Sequence, residues 1–202
     1  GNININLRNQ NFKLDVLVDT FDLEIINQYT KDLTTNATLS AFLDADLKTT
    51  GNFNTKDSIA VSGNFAISDF HFKETNKADL VSFKKLVVAI NQLSPKDFIY
   101  HFDSIILTQP YAKYELYDYL DNVQTVIGAG GQNVSAVNAD PNKFNLVIEI
   151  AKLVEEVSRN FLRSQYKVGR FAVYDGDFRF ADYSGGEQFD IGFSPFTIVA
   201  DS

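Results

Sequence analysis

Residues 37–48 read ATLSAFLDADLK. Ala37, Leu39, Ala41, Leu43, Ala45 and Leu47 share one phase; Thr38, Ser40, Asp44, Asp46 and Lys48 share the other, and only Phe42 breaks the alternation. Successive side chains of a strand point to opposite faces, so a period of two this long specifies a strand with one apolar and one wetted face. The same reading extends in both directions. NININL (2–7) sets Ile3, Ile5 and Leu7 against Asn2, Asn4 and Asn6, and Phe12, Leu14, Val16 and Val18 keep the period. Phe21, Leu23 and Ile25 then take the odd phase, so the register shifts near Asp19 and Thr20. Beyond the turn GNFNTKD (51–57), Ile59, Val61, Phe65 and Ile67 fall in one phase, Phe70 and Phe72 in the other. A one-residue slip swaps faces, so the flip at Ser68–Asp69 predicts a β-bulge or sharp bend. KETNKAD (73–79) is a second turn, and strands over 82–91, 98–108 and 112–117 complete the run, with Pro95 as punctuation. In FDSIILTQPYAKYEL (102–116), Phe102, Ile106, Tyr114 and Leu116 read as one wall of a concave sheet, and Pro110 as the point where the strand is re-aimed. Ile105 and Leu107, apolar in the other phase, predict cover on both sides there, the outer cover from a helix.

After residue 117 the period changes. Leu120, Val123 and Ile127 stand at helical spacing over 118–128, with Gly128 as the C-cap. A loop is expected over 129–142. Residues 143–164 carry an apolar stripe of Leu146, Ile150, Leu153, Val157 and Phe161, widened by Val147 and Val154, with Glu149, Lys152, Glu155, Glu156 and Arg159 facing away. Strands then resume over 168–174, 177–181, 189–193 and 196–200, and Asp175–Gly176 reads as a hairpin turn. The expected class is mainly β with α: a curved antiparallel sheet with two helices inserted before the last strands. Residues 1–117 form its first segment, 118–164 the helical insertion, and 165–202 strands that rejoin the same sheet, one domain overall.

The 202-residue chain is 45% hydrophobic, enough for a core. Its formal charge of −8 argues against nucleic acid, which needs a basic stripe, and against electrostatic docking on anionic lipid. The absence of cysteine removes disulfides, thiolate nucleophiles and Cys-type zinc sites. No apolar run approaches the roughly 20 residues a membrane span takes. The first residue, Gly1, is not an initiator Met, so a processed or excised chain is expected.

Chemical motifs are weighed and set aside. IGAGGQN (127–133) has a helix before it, a loop after it and no Walker lysine, so it is read as an interhelix loop rather than a phosphate cradle. DGD (175–177) lacks the rest of a calcium loop. His71 and His101 each sit alone in a strand-like run, without a sequence-visible Ser–Asp partner. The two sequons, at Asn36 and Asn133, carry no argument in an Asn-rich chain. No catalytic residue, metal site or cofactor is therefore expected, and the chain is read as not an enzyme. What remains is the repeated apolar phase. Two helices cannot wrap a twisted sheet of about ten strands, and leftover apolar surface marks a ligand, a partner or the next repeat of the same chain.

GNFAISDFHFKE (63–74), then LVSFKKLVVAINQLSPKDFIYHFDSIILTQPYAKYEL (80–116), resembles the AsmA-like and TamB-type bacterial envelope proteins: a G-x-φ-x-φ-x-D strand and long alternating strands, closed by a strand ending in Pro. VGRFAVYDGDFRFADYSGGEQFDIGFSPFTIVA (168–200) reads as the next copy, and YDYLDNVQTVIG (117–128) resembles the helix such proteins place between units. The resemblance implies a periplasmic, normally larger protein anchored at the inner membrane of a Gram-negative-type bacterium. It implies repeating curved sheet with an apolar interior, and a role in phospholipid transport or outer-membrane assembly. No catalytic residue is carried over. The expected lipid-facing residues are Leu39, Leu43, Ile59, Val61, Phe65, Ile67, Phe102, Ile106, Tyr114 and Leu116. The expected partners are a phospholipid or other acyl-chain ligand and the rest of the parent chain, with the membrane anchor outside this sequence. One alternative is a scaffold repeat that pairs through strand edges; another is a hydrolase of unrecognised type.

Overall fold

The computed structural model describes residues 1–53, 59–74, 77–138, 145–161, 165–185 and 187–202. Among the described residues nine strands form one sheet. β1 (Asn2–Asn6), β2 (Asn11–Asp22), β3 (Ala37–Asn52), β4 (Ala60–Glu74), β5 (Asp79–Ser94) and β6 (Ile99–Thr108) follow one another as an antiparallel meander. β7 (Tyr111–Leu116) continues the line of β6 after a two-residue break and also pairs with β5 at Val81 and Ser82. β8 (Gln165–Asp182) then lies beside both β6 and β7, and β9 (Phe189–Asp201) beside β8. Mainly β with α is therefore the class of the chain, as the periodicities require.

The sheet is mixed rather than antiparallel throughout. β8 runs parallel to β6 and β7. The chain leaves β7 at Leu116 and returns to the far end of the sheet at Gln165 by way of helices, and a helical crossover delivers parallel neighbours where a hairpin delivers antiparallel ones. The Asp175–Gly176 pair is not a hairpin turn either. It lies inside β8, whose two halves both pair onward with β9 instead of with each other. Asp175 takes φ 54°, and a residue that tolerates positive φ in a turn serves equally well in a bulge.

The crossover holds α2 (Asn122–Ile127), α3 (Gln132–Asn138) and α4 (Leu146–Phe161). Thus α2 starts four residues later than the apolar spacing implied, because the side chain of Asp121 caps it by accepting from the Gln124 N–H at 2.7 Å. α3 occupies part of the expected loop. α4 falls within the expected 143–164, whose outermost residues lie outside the described set. Leu23 and Ile25, read as strand, belong to a 3₁₀ turn (Leu23–Ile26) that leads into the one-turn α1 (Asn27–Thr30). Asp22 caps that turn through the Glu24 N–H at 2.8 Å, which outweighs the alternation.

The helices gather at the end of the sheet where β2 and β7 stop and β3 begins. Three asparagines fix them there. Asn27 grips β3 at both backbone groups of Leu39, each at 2.8 Å. Asn122 does the same to β7, donating to the Lys113 carbonyl at 2.7 Å and accepting from the Glu115 N–H at 3.1 Å. Asn145 caps α4 and donates to the Tyr29 carbonyl of α1 at 2.8 Å. A planar amide carries donor and acceptor side by side, as a strand backbone does. Asn27 and Asn122 therefore satisfy strand-edge groups that lack a neighbouring strand, and Asn145 ties α4 to α1. Leu33, Ile148 and Val147 pack beside them.

Candidate lipid-facing surface

The strand register determines which side chains share a face. Phe21, Leu43, Ile67, Leu86, Leu107, Val173 and Ile198 lie opposite one another in turn across β2, β3, β4, β5, β6, β8 and β9. Val18, Ala45, Phe65, Val88, Ile105, Phe171 and Ala200 form a second such row. Leu39, Phe72, Val81, Ala112, Phe178 and Phe193 form a third, towards the helical end. All three rows are apolar and belong to one face. On the other face Ser40, His71, Ser82, Tyr111 and Asp177 make one polar row, and Asp46, Asn64, Ala89, Ser104, Arg170 and Asp201 a largely polar second.

Bulges keep that separation intact. β4 carries one residue more than β3 between Ile67 and Phe72, and Asp69 takes φ 50° there. The extra residue returns Phe70 and Phe72 to the face of Phe65 and Ile67, so the phase flip in the sequence is what keeps the face apolar. The expected shift near Asp19–Thr20 is present too: Thr20 has φ 48°, and its N–H donates to the Asp44 carboxylate at 2.8 Å. Gln109 at φ 50° breaks β6 from β7 beside Asp175. Hydrogen bonds from Gln109 N–H to the Tyr174 carbonyl and from Asp177 N–H to the Pro110 carbonyl, both 2.8 Å, hold the two strands across the break. Thr20, Asp69, Gln109 and Asp175 thus mark one crease running across the strands.

Of the residues expected to face lipid, Leu39, Leu43, Val61, Phe65, Ile67, Phe102, Tyr114 and Leu116 are on this apolar face. Ile59 sits at the sheet end, immediately before β4, and its carbonyl accepts from the Ser94 hydroxyl at 3.1 Å. Ile106 is on the opposite face, aligned with Val87 and Ala172. The cause is an irregularity between Phe102 and Ser104, where β6 spends one residue more than β5 and Asp103 is the extra one. Ile105 and Leu107 therefore take the place given to Ile106. Both faces are indeed covered here, but not by a helix on the outer side. Arg170 donates to the Tyr174 hydroxyl at 2.8 Å across Ala172, which is fully buried. In the sequence Ile105, Ile106 and Leu107 are all apolar, so the pattern allows either phase, and the bulge at Asp103 selects this one.

Along its middle the apolar face buries its own side chains: Ala41, Ala45, Val88, Ile90, Tyr100 and Val173 are all buried. Towards β9 it is open, and Phe178, Phe189, Ile191, Phe193 and Ile198 are exposed. The accessible surface of the chain is 13063 Å². A compact monomer of its mass exposes roughly 9,500 Å². The excess, about 3,500 Å² on that scale, fits a sheet with one face largely uncovered.

Polar chemistry is sparse. His71 Nδ1 is 2.8 Å from the Asp79 carboxylate, and His101 lies near the other end of the polar face, aligned with Gln92 and Lys167. Among the described residues no cluster of three His, Asp or Glu is suited to hold a metal. A hollow of about 570 Å³ lies on the polar side, among Asn4, Lys13, Thr50 and Gln92. At the helical end the Tyr114 hydroxyl donates to the Asp121 carboxylate at 3.0 Å, and that hydrogen bond raises the phenol's pKa. Lys113 is raised by its bond to Glu115, and Tyr117 chiefly by burial. The Tyr114–Asp121 bond ties β7 to the cap of α2; the Lys113–Glu115 pair lies within β7 itself. Comparison with protein families, with curated proteins and with solved structures finds no match to this chain.

Proposed function

We propose that the chain is a non-enzymatic module of the bacterial cell envelope whose apolar sheet face accommodates the acyl chains of phospholipid. The observation that carries this reading is the set of three unbroken apolar rows, kept on one face by bulges and left open towards β9. An isolated core does not need rows that extend to exposed phenylalanines, and a soluble monomer rarely leaves such a patch bare. Acyl chains need no charged partner, in keeping with a surface that has no polar cluster of its own. A periplasmic setting and a role in lipid transport or outer-membrane assembly follow from the resemblance of residues 58–200 and belong to the same proposal.

Photocrosslinking tests it. A benzophenone side chain at Phe193 or Phe178 should capture phospholipid, found by mass spectrometry of the purified protein. The same probe at Leu17, 70% exposed on the opposite face, should capture none. Equal capture at both faces, or none at Phe193 and Phe178, overturns the reading. A second reading rests on β9, a strand of 13 residues that, among the described residues, pairs with β8 alone. Such an edge is a template for another strand, and a scaffold repeat would use it. In that case the probe at Phe193 captures protein rather than lipid.

A further inference from the structure

The two ends of the sheet are built differently. At the end away from the helices, successive connections each present a large apolar residue to solvent. Leu7, in the β1–β2 turn, is 87% exposed; Phe53, after β3, 59%; Phe98, between β5 and β6, 47%; and Tyr166, at the start of β8, 55%. They follow one line. The Phe53 N–H donates to the Gln10 carbonyl of the first turn, Ser94 pairs with Ile99 beside Phe98, and Ile99 pairs with Gln165 beside Tyr166. Turns favour Gly, Asn, Asp, Ser and Pro, each for a backbone reason that leucine and phenylalanine lack. Phe98 even holds φ 54°, a left-handed conformation that bulky residues rarely adopt. Phe53 rests on the Phe12 ring, centroids 4.7 Å apart, yet stays more than half exposed, and turn geometry calls for neither Leu7 nor Phe98.

Two of the tips adjoin a cation in sequence, Arg8 after Leu7 and Lys167 after Tyr166. Asp97, next to Phe98, accepts from the Ser94 hydroxyl. At the helical end, where Ile25, Val123 and Phe189 are also exposed, the most exposed aromatic, Tyr119 at 94%, is flanked by Asp118 and Asp121.

We infer that the Leu7–Phe53–Phe98–Tyr166 end docks on a lipid bilayer, the apolar tips entering the interface and Arg8 and Lys167 meeting the phosphates. Single apolar tips strung along a sheet end, with strands about 4.8 Å apart, match a flat, deformable surface. Cations next to the tips sit at headgroup depth once the tips are buried. The chain's net charge of −8 opposes long-range attraction to anionic lipid, so the tips carry the contact and the cations orient it. The inference does not depend on the apolar face being filled.

The chain has no tryptophan, so single substitutions give clean reporters. Leu7→Trp and Phe98→Trp, mixed with vesicles of phosphatidylcholine with or without phosphatidylglycerol, should shift their emission to the blue and be quenched by brominated acyl chains. Tyr119→Trp should do neither. The pair Leu7→Ser with Phe98→Asn, the latter a residue at ease in the left-handed region, should lower vesicle partitioning at least about tenfold with no change in the urea midpoint. Tip reporters blind to vesicles, or a Tyr119→Trp reporter that responds equally, overturn the inference. So does a blue shift that grows with protein concentration without lipid, which would assign the tips to a contact between proteins. Vesicle binding at the tips without lipid capture at Phe193 supports docking while removing the acyl-chain reading.

Discussion

Residues 63–69 of β4, GNFAISD, lie between two antiparallel neighbours, whereas residues 169–175 of β8, GRFAVYD, lie between a parallel neighbour and an antiparallel one. The local device is nevertheless the same. In each the glycine is where a neighbouring backbone comes too close for a Cβ, against the Asp46 carbonyl for Gly63 and the Asp103 carbonyl for Gly169. In each the aspartate six positions on takes positive φ, 50° at Asp69 and 54° at Asp175. The six-residue interval recurs in β6, from the bulged Asp103 to Gln109. Bends are thus written into each strand and aligned by pairing, whatever the direction of the neighbour. That is how a sheet can change from antiparallel to parallel pairing and still keep one apolar face.

The two glycines should not be equally hard to replace. At Gly63 an added Cβ would lie 2.1 Å from the Asp46 carbonyl oxygen, and the backbone is at φ 119°, a region closed to other residues. Gly63→Ala should cost about 3–4 kcal/mol, the strained dihedral and the displaced strand together. At Gly169 the corresponding distance is 2.7 Å, with no positive φ. Gly169→Ala should cost about 1–3 kcal/mol, as overpacking does. Urea midpoints at unchanged slope measure both. Equal losses would mean that the pairing partner, not the dihedral, sets the need for glycine.

How much of this was legible follows from the same residues. Period-two alternation gave every strand of the meander, and the phase flips at Thr20 and Asp69 gave two of its bends before any coordinate. The flip is visible because apolar residues flank it on both sides. At Asp103 it was not visible. Ile105, Ile106 and Leu107 are all apolar, so either phase satisfies the pattern, and only the bulge at Asp103 decides between Ile106 and its two neighbours. The parallel placement of β8 was hidden for a different reason. Asp-Gly reads identically in a hairpin and in a bulge, and only pairing with β6 distinguishes them. The asparagine ties at Asn27, Asn122 and Asn145 left no pattern at all, since each depends on where another segment's backbone ends. The exposed tips Leu7 and Phe98 were in view as apolar residues, but solvent exposure is a property of the fold.

The aspartates sharpen the equivalence of the two strands at a smaller scale. Asp69→Val and Asp175→Val each place a β-branched side chain at positive φ, which should cost about 1–2 kcal/mol, whereas Asp69→Gly and Asp175→Gly should be near neutral. If the crease is one cooperative line, combining Asp69→Val with Asp175→Val should cost less or more than the sum of the two. If each bend is independent, the costs should add within about 0.5 kcal/mol. The separated positions of β4 and β8 in the sheet favour additivity.

The far ends of the same two strands differ most gently. β4 ends at Glu74, whose carboxylate meets the Lys77 ammonium at 2.7 Å; β8 ends at Asp182, whose carboxylate accepts from the Ser184 hydroxyl at 2.6 Å and from its N–H at 2.9 Å. The first is an exposed ion pair, open to screening by salt; the second uses neutral donors and is not. The Ser184 hydroxyl, and then its N–H, hold the Asp182 carboxyl below the ordinary carboxylate range. A depressed folded-state pKa contributes stability that is present above the unfolded value and is lost as pH falls through the folded one. Ser184→Ala should therefore raise the Asp182 titration midpoint, followed by carboxyl-carbon NMR, and removing the hydroxyl should leave the smaller backbone effect in place. The midpoint should be the same at low and high salt. A midpoint that moves with salt would mean that a nearby cation, not Ser184, holds the carboxylate, and the end of β8 would then resemble that of β4.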